Sequence, residues 1–155
     1  MPTYDADVTT EWAPDEAFAY LAEFSLAAEW DPGVARAERL GSGPVGVGSV
    51  FRLWVRLGGR TTPIDYRVVA FDPPRQVVLA GENGWVRSVD TVTVGAGPEG
   101  GARLHYHAEL MPKRLARLAA PLLGPAFRRI GDRGIAGLRR VLSGPRPVRH
   151  VQRSR

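Results

Sequence analysis

The residues best suited to chemistry lie near position 105, where two histidines and a glutamate alternate along the chain. In an extended strand, His105, His107 and Glu109 would project from one face. Imidazole and carboxylate groups at this spacing are ligands for divalent transition metals. The intervening Tyr106 and Ala108 are apolar, so we predict that they face the core and that the histidines face solvent. Metal binding there would need further side chains that orient the imidazoles, and the local sequence supplies none. We therefore predict no metal site.

Other motifs for catalysis or cofactor binding give no support either. The chain has no cysteine and no G-x-S-x-G segment, which excludes thiol catalysis, disulfides and the esterase type of serine nucleophile. Residues 41–46 match G-x-G-x-x-G. A dinucleotide site needs a strand before this motif and a helix after it, because the helix N-terminus holds the pyrophosphate. Here a strand follows, so the glycines predict a turn, and we expect no cofactor.

A second group of residues suggests chemistry inside the fold. On a strand over 85–94, alternation directs Arg87 outward and Ser88 and Asp90 inward. Tyr66 and Tyr106 face inward on their own strands. A buried carboxylate must be paired or hydrogen-bonded, and a phenol from either tyrosine can supply the donor. Two interpretations remain open: a satisfied structural network, or polar groups that orient a ligand in an apolar pocket.

The elements that must position these residues follow from hydrophobic periodicity. Helices are predicted from Pro14 onwards, with proline and acids in the first turn, and over 26–30. Alternation of period two, broken by Gly-Gly, Asn-Gly and Pro-Pro turns, predicts seven strands in an antiparallel meander. The predicted strands cover residues 4–9, 34–40, 47–57, 62–71, 76–80, 85–94 and 103–111.

Near the C-terminus the period changes to that of a helix. Residues 125–142 form an amphipathic helix with its arginines opposite an apolar arc. Pro121 and Pro125 predict a kink that separates this helix from a shorter helical piece over 113–120. Gly131 and Gly134 lie on the apolar arc, where they make room for close backbone contact or for a ligand.

A curved antiparallel sheet with one long helix to cover its apolar face tends to enclose a hollow. We predict that the lining combines inward residues of the strands, a tryptophan of the short helix and the apolar arc of the long helix. The candidate ligand-binding residues are Trp30, Phe51, Leu53, Val55, Tyr66, Val68, Ser88, Asp90, Tyr106, Phe127, Ile130 and Gly134.

Charge is distributed unevenly over the 155 residues. Residues 1–112 hold 9 basic and 15 acidic residues, whereas residues 113–155 hold 12 basic residues and 1 acidic residue. Either the basic segment is a solvated helix face, or it contacts an anionic membrane through the arginine-rich helix and tail. No nucleic-acid-binding motif accompanies the charge, so we expect no nucleic acid partner.

Length and composition predict one domain over 1–143, followed by a basic flexible tail over 144–155. No apolar run approaches 18 residues. The first residues have neither the basic nor the apolar region of a secretory signal, so we expect a cytoplasmic protein.

Five short motifs, in this order and spacing, resemble the START-related (SRPBCC) superfamily, and within it the bacterial polyketide cyclase/dehydrase-like proteins. They are Trp30-Asp31-Pro32-Gly33-Val34, residues 45–51 (VGVGSVF), Phe71-Asp72-Pro73-Pro74-Arg75, Val89-Asp90-Thr91 and residues 106–110 (YHAEL). The resemblance implies an α+β helix-grip (Bet v 1/START-like) fold, with the sheet wrapped around the C-terminal helix. It also implies a cavity for lipids, polyketides, isoprenoids or other hydrophobic metabolites.

The sequence therefore leads to two functional hypotheses. The first is binding or transport of a small hydrophobic ligand, because no activated nucleophile or inward-facing histidine is found. The second is a cyclase or dehydratase that uses Asp90 as acid or base, with Tyr66 or Tyr106 polarising a carbonyl group.

Overall fold

Seven strands form one antiparallel sheet in the computed structural model, which describes residues 2–146. The strands are β1 (Thr3–Thr10), β2 (Val34–Leu40), β3 (Val50–Leu57), β4 (Arg60–Asp72), β5 (Gln76–Glu82), β6 (Val86–Ala96) and β7 (Ala102–Pro112). Their order across the sheet is β1-β7-β6-β5-β4-β3-β2, so every neighbour except β1–β7 is also a neighbour in sequence. The predicted meander is confirmed.

Strand boundaries follow turn chemistry more closely than hydrophobicity. The strand predicted from residue 47 begins only at Val50, because Gly48 adopts a φ of 92° in the preceding turn. That turn closes with a hydrogen bond from the Ser49 N–H to the Gly46 carbonyl. Residues 41–46 contain no helix, in agreement with their predicted role as a turn.

Two short helices follow β1, as predicted. Helix α1 (Pro14–Ala22) begins at a proline, and its buried face includes Phe18 and Leu21. A 3₁₀ turn (Phe24–Leu26) leads into α2 (Ala27–Trp30), whose Trp30 is buried. These elements cover part of the inner face of the sheet.

The C-terminal helix differs from its prediction in one respect. A 3₁₀ turn covers Arg114–Ala119, and α3 then runs without a break from Ala120 to Leu142. Pro121 lies in its first turn, and Pro125 lies inside the helix. The predicted boundary at the prolines is wrong: the two helical pieces meet before Ala120, because a proline this close to the helix start removes few intrahelical hydrogen bonds.

The two halves of α3 are anchored differently. In the C-terminal half, Leu138 and Leu142 are buried in the core. There the Thr10 hydroxyl of β1 donates a hydrogen bond to the Leu142 carbonyl at 2.7 Å, and the Trp12 indole N–H donates to the Gly144 carbonyl at 3.0 Å. In the N-terminal half, Leu122 is 79% exposed. Packing therefore holds the helix mainly at its C-terminal end.

This arrangement confirms the predicted α+β helix-grip architecture. Among the described residues, no helix combines the length and the hydropathy needed to cross a bilayer. Of the predicted basic tail, Arg146 contacts α1 through its ion pair with Glu16 at 3.3 Å. Residues 147–155 lie outside the described part of the chain.

Candidate ligand-binding cavity

A cavity of about 120 Å³ lies between the inner face of the sheet and α3. Ten of the twelve predicted ligand-binding residues line it. They are Trp30, Leu53, Val55, Tyr66, Ser88, Asp90, Tyr106, Phe127, Ile130 and Gly134. Six of them follow from alternation along the strands, three lie on the apolar arc of α3, and Trp30 belongs to α2.

Two predicted members, Phe51 and Val68, do not line the cavity. Both side chains face inward, but each has an exposed fraction of 0%. The ring of Phe24, a lining residue, packs edge-on against Phe51 with ring centroids 6.4 Å apart. Phe51 and Val68 therefore belong to the solid part of the core, because other side chains cover them.

Asp90 is the most deeply placed charged group of the cavity. The Ser88 hydroxyl donates a hydrogen bond to its Oδ1 at 2.8 Å, and the Tyr106 hydroxyl donates to its Oδ2 at 2.5 Å. Burial raises the pKa of Asp90 above its ordinary value, although these two hydrogen bonds act in the opposite direction. The predicted pairing of a buried carboxyl with a tyrosine is present, and Tyr106 is the partner.

Tyr66 completes the polar side of the cavity. Its ring packs edge-on against Phe24, with centroids 5.2 Å apart. Burial raises the pKa of the Tyr66 phenol, and the nearby Asp90 carboxyl raises it further. The Tyr66 phenol therefore keeps its proton at neutral pH and can donate a hydrogen bond.

Asp31 is a functional candidate that the sequence interpretation missed. It follows α2 directly, lines the cavity, and accepts a hydrogen bond from the Gly33 N–H at 2.8 Å. Burial raises the pKa of its carboxyl, and its charge raises the pKa of Asp90 in turn. The sequence signal that could have identified it is an acid directly after the predicted cavity residue Trp30.

Aromatic groups shape the remaining walls. The Trp30 and Tyr106 rings meet edge to face, with centroids 6.1 Å apart. Tyr4 of β1 also lines the cavity, although the sequence did not predict it as a lining residue. Its hydroxyl donates a hydrogen bond to Asp132 of α3 at 2.8 Å, and burial raises the pKa of Tyr4 to about 12. This bond connects the first strand to the helix beside the cavity.

His105 and His107 do not take part in the cavity. They lie on the outer face of β7, as predicted, where both contact Asp5 of β1. The only side chains of the described cavity lining that could bear charge are therefore carboxyl and phenol groups. Such a lining can bind an apolar molecule and hydrogen-bond one oxygen-bearing group on it.

Comparisons with known proteins agree with this geometry. The model of the family described as "Polyketide cyclase / dehydrase and lipid transport" matches residues 1–143. No curated protein sequence matches the chain.

Solved structures share the fold at low sequence identity. A START superfamily protein from Mycobacterium smegmatis superposes with a TM-score of 0.75 at 12% identity, covering 90% of this chain and 96% of that one. The Zhui aromatase/cyclase from a Streptomyces species superposes with a TM-score of 0.71 at 15% identity, and the alignment covers 90% of each chain. A protein from Thermus thermophilus superposes with a TM-score of 0.72 at 12% identity, and the alignment covers 91% of this chain and 97% of that one. At these identities the likeness is one of fold.

Proposed function

The chain belongs to the polyketide cyclase/dehydrase and lipid transport family, and we propose that it binds or carries a small hydrophobic molecule between the sheet and α3. One observation carries the proposal: a mostly apolar cavity in which a hydrogen-bonded polar group, Ser88, Asp90 and Tyr106, lies on the sheet side. Leu53, Val55 and Phe127 offer apolar surface, whereas Asp90 and Tyr66 offer hydrogen-bonding groups. The expected ligand is an apolar body that carries a carbonyl or hydroxyl group.

The size of the cavity limits what can be enclosed. A volume of about 120 Å³ is close to the roughly 150 Å³ of an engineered apolar cavity that binds benzene. Pockets for drug-sized ligands typically have about 300–1,000 Å³. The enclosed part of the ligand is therefore about one ring in size. Ile130, a lining residue that is 38% exposed, marks the side where a longer molecule would emerge.

Direct detection of a bound molecule is the first test. Native mass spectrometry of the freshly purified chain, followed by organic extraction, reveals any apolar compound that co-purifies. Acetophenone, an aromatic ketone, serves as a defined probe in isothermal titration calorimetry. We expect 1:1 binding.

A matched pair of variants in α3 locates that binding. A methyl group on Gly134 would lie 3.5 Å from the Asp31 carboxyl carbon, so the larger side chain of Gly134→Leu occupies the cavity. Ala136→Leu adds the same side chain on the exposed side of the helix. We expect Gly134→Leu to lose acetophenone binding and Ala136→Leu to keep it. Equal binding by both variants would contradict the proposed site.

A second candidate function is catalysis on a polyketide-like substrate. The buried Asp90, with its raised pKa and its tyrosine neighbours, favours it. Ionised Asp90 would take a proton from a carbon between two carbonyl groups. The Tyr106 hydroxyl already donates its hydrogen bond to Asp90. The Tyr66 hydroxyl would therefore donate a hydrogen bond to the carbonyl oxygen on which negative charge develops.

Proton exchange separates this candidate from simple binding. The measurement is the rate of hydrogen–deuterium exchange at the central carbon of pentane-2,4-dione, with and without the protein. An enzyme accelerates the exchange, and Asp90→Asn abolishes the acceleration while acetophenone binding stays within a few-fold. If Asp90→Asn retains the full rate, Asp90 is structural.

We further propose that the carrier contacts an anionic membrane, because exposed leucines lie among cations in the 3₁₀ turn before α3 and in its first turn. Leu115, Leu118 and Leu122 are 74%, 81% and 79% exposed. Arg114 and Arg117 alternate with them along the same segment. Apolar side chains between basic ones are typical of segments that bind at the lipid interface. The sequence predicted a membrane contact through the arginines of the C-terminal helix and tail. These leucines would add apolar side chains to that contact.

Vesicle co-sedimentation tests the membrane contact. We expect binding to vesicles that contain phosphatidylglycerol, weaker binding to pure phosphatidylcholine, and a decrease as salt is raised. The double variant Leu118→Ser/Leu122→Ser should reduce the sedimented fraction. Val69→Ser, at an exposed position on β4, is the control. Binding that is indifferent to anionic lipid or to the double variant would contradict the proposal.

A further inference from the structure

The outer face of the sheet carries a cluster that the cavity does not use. On β7, His105 and His107 occupy alternate positions and project away from the core. The register of β1 sets Asp7 opposite His105 and Asp5 opposite His107. Two strands almost 100 residues apart in sequence thus bring imidazoles and carboxylates together.

Three atoms of this cluster converge on one point. The Asp5 Oδ1 lies 3.0 Å from His105 Nε2 and 2.7 Å from His107 Nδ1. One ligand atom from each of the three residues lies within 4.8 Å of the other two. Ligand atoms at about 2.0–2.1 Å from a tetrahedral metal ion are separated by roughly 3.3 Å. Small side-chain rotations therefore suffice for all three atoms to reach one ion.

The remaining imidazole nitrogens also have carboxylate partners. The Asp7 Oδ1 lies 2.9 Å from His105 Nδ1, and the Glu109 Oε1 lies 3.2 Å from His107 Nε2. A carboxylate on the far nitrogen is the usual arrangement behind a metal-binding histidine, because it fixes the tautomer and the ring orientation. Of these two orienting groups, Glu109 lies two residues after His107, whereas Asp7 comes from β1 and could not be identified from the local sequence.

The protonation of the two rings decides how these contacts are used. An ionised carboxylate can only accept, and an imidazole has one N–H when neutral and two when protonated. The neighbouring carboxylates raise the pKa of both imidazoles, so two protonated rings can satisfy all four contacts without an ion. A metal ion in place of the protons that face Asp5 would leave one N–H on each ring for its outer carboxylate.

We propose that Asp5, His105 and His107 bind a divalent transition-metal ion such as Zn²⁺, with Asp7 and Glu109 orienting the two imidazoles. Imidazole and carboxylate ligands suit Zn²⁺, Ni²⁺ and Cu²⁺. The side chains of the three ligands are 52%, 44% and 31% exposed, so an ion can enter from solvent. The site lies across the sheet from the cavity, and it does not depend on the proposed function.

Metal titration of the full, untagged chain tests the proposal. Isothermal titration calorimetry with Zn²⁺ should give one site per chain, and Co²⁺ should give the visible absorption of a protein-bound ion. The double variant His105→Ala/His107→Ala should weaken binding by about 30-fold or more, since a lost orienting group alone costs about 10–100-fold. Circular dichroism checks that this variant is folded, which we expect because both side chains are partly exposed.

Two further variants distinguish the cluster from adventitious binding. His150, the third histidine of the sequence, lies outside the described residues, and His150→Ala should leave Zn²⁺ binding unchanged. Asp7→Asn should weaken it by about 10–100-fold, the usual effect of losing an orienting carboxylate. The proposal is overturned if no stoichiometric site is found, if the folded double variant binds as tightly as the parent, or if binding follows His150.

Discussion

Helices α2 and α3 approach each other closely at Gly137. A methyl group on this residue of α3 would lie 1.8 Å from the Trp30 carbonyl oxygen at the end of α2. Carbon and oxygen atoms in van der Waals contact are about 3.3 Å apart, so Gly137→Ala requires a displacement of roughly 1.5 Å. The obstacle is backbone, which cannot rotate away as a side chain could.

The same helix offers a control one turn earlier. A methyl group on Gly134 would meet its nearest atoms, in the Asp31 carboxyl group, at 3.5 Å, which is an ordinary contact. Replacing a helical glycine by alanine stabilises a helix by about 1 kcal/mol. We therefore expect Gly134→Ala to raise the free energy of unfolding by up to about 1 kcal/mol.

For Gly137→Ala, the gain in helix propensity is opposed by overpacking against the Trp30 carbonyl oxygen. Overpacking typically costs about 1–3 kcal/mol, and a backbone obstacle places this site at the upper end. After the gain of about 1 kcal/mol in helix propensity, a net loss of roughly 2 kcal/mol remains. The two variants should then differ by about 3 kcal/mol, equivalent to roughly 6–12 °C in Tm for a chain of this size.

Urea denaturation followed by far-UV circular dichroism measures both free energies of unfolding. Because Trp30 forms part of the cavity wall, Gly137→Ala should also weaken acetophenone binding. If Gly137→Ala is as stable as Gly134→Ala, α2 and α3 do not pack as described, and the position assigned to Trp30 in the cavity fails with them.

Substitutions at three residues test the buried polar groups. Because the pKa of Asp90 is raised in the native state, the native protein keeps a proton that the unfolded chain releases above about pH 4. The stability that this proton contributes is complete below that pH and is lost as pH rises through the native pKa. Asp90→Asn cannot lose a proton. Its free energy of unfolding in urea should therefore rise relative to that of the parent as pH increases. If the two free energies change with pH in the same way, the native pKa of Asp90 is not raised. Tyr106→Phe removes one of two hydroxyl donors to Asp90 and should cost about 1–3 kcal/mol in urea unfolding at pH ~7; an unchanged midpoint would show that the hydrogen bond contributes nothing. Thr10→Val removes the hydroxyl that bonds the Leu142 carbonyl and the Trp12 N–H, and should cost a similar amount, about 1–3 kcal/mol, whereas Thr10→Ser should retain most of the parent stability.

The sequence predicted the sheet well because its signal is local. Alternation of period two decides which side chains face inward, and glycine or proline turns mark the ends, so strand β2 was predicted with its observed boundaries, 34–40. The start of α3 was predicted less well, because proline propensity alone marks Pro125 as a break, whereas a proline this near the helix start removes few hydrogen bonds.

Parts of the site were predictable for the same reason, and parts were not. Asp90 and Tyr106 follow from strand alternation alone. Whether an inward residue borders a cavity or is covered depends on another element, as Phe24 covers Phe51. The aspartate partners of the histidines depend on the pairing of β1 with β7, which joins the first strand of the chain to the last. Such long-range pairing leaves no local pattern.

The two carboxyl groups of the cavity differ in what surrounds them, and this difference bears on function. Asp90 accepts hydrogen bonds from two hydroxyl groups, which favour its anionic form, whereas Asp31 accepts one from the Gly33 N–H. Burial raises the pKa of both, but Asp31 has the weaker compensation from hydrogen bonds. When protonated, Asp31 could donate a hydrogen bond to a ligand carbonyl, whereas Asp90 accepts the bond that fixes the Tyr106 hydroxyl. Both tasks serve the binding and orientation of an oxygen-bearing apolar molecule, and neither requires proton abstraction. We therefore propose a carrier first, and the proton-exchange rate with Asp90→Asn decides whether catalysis must be added.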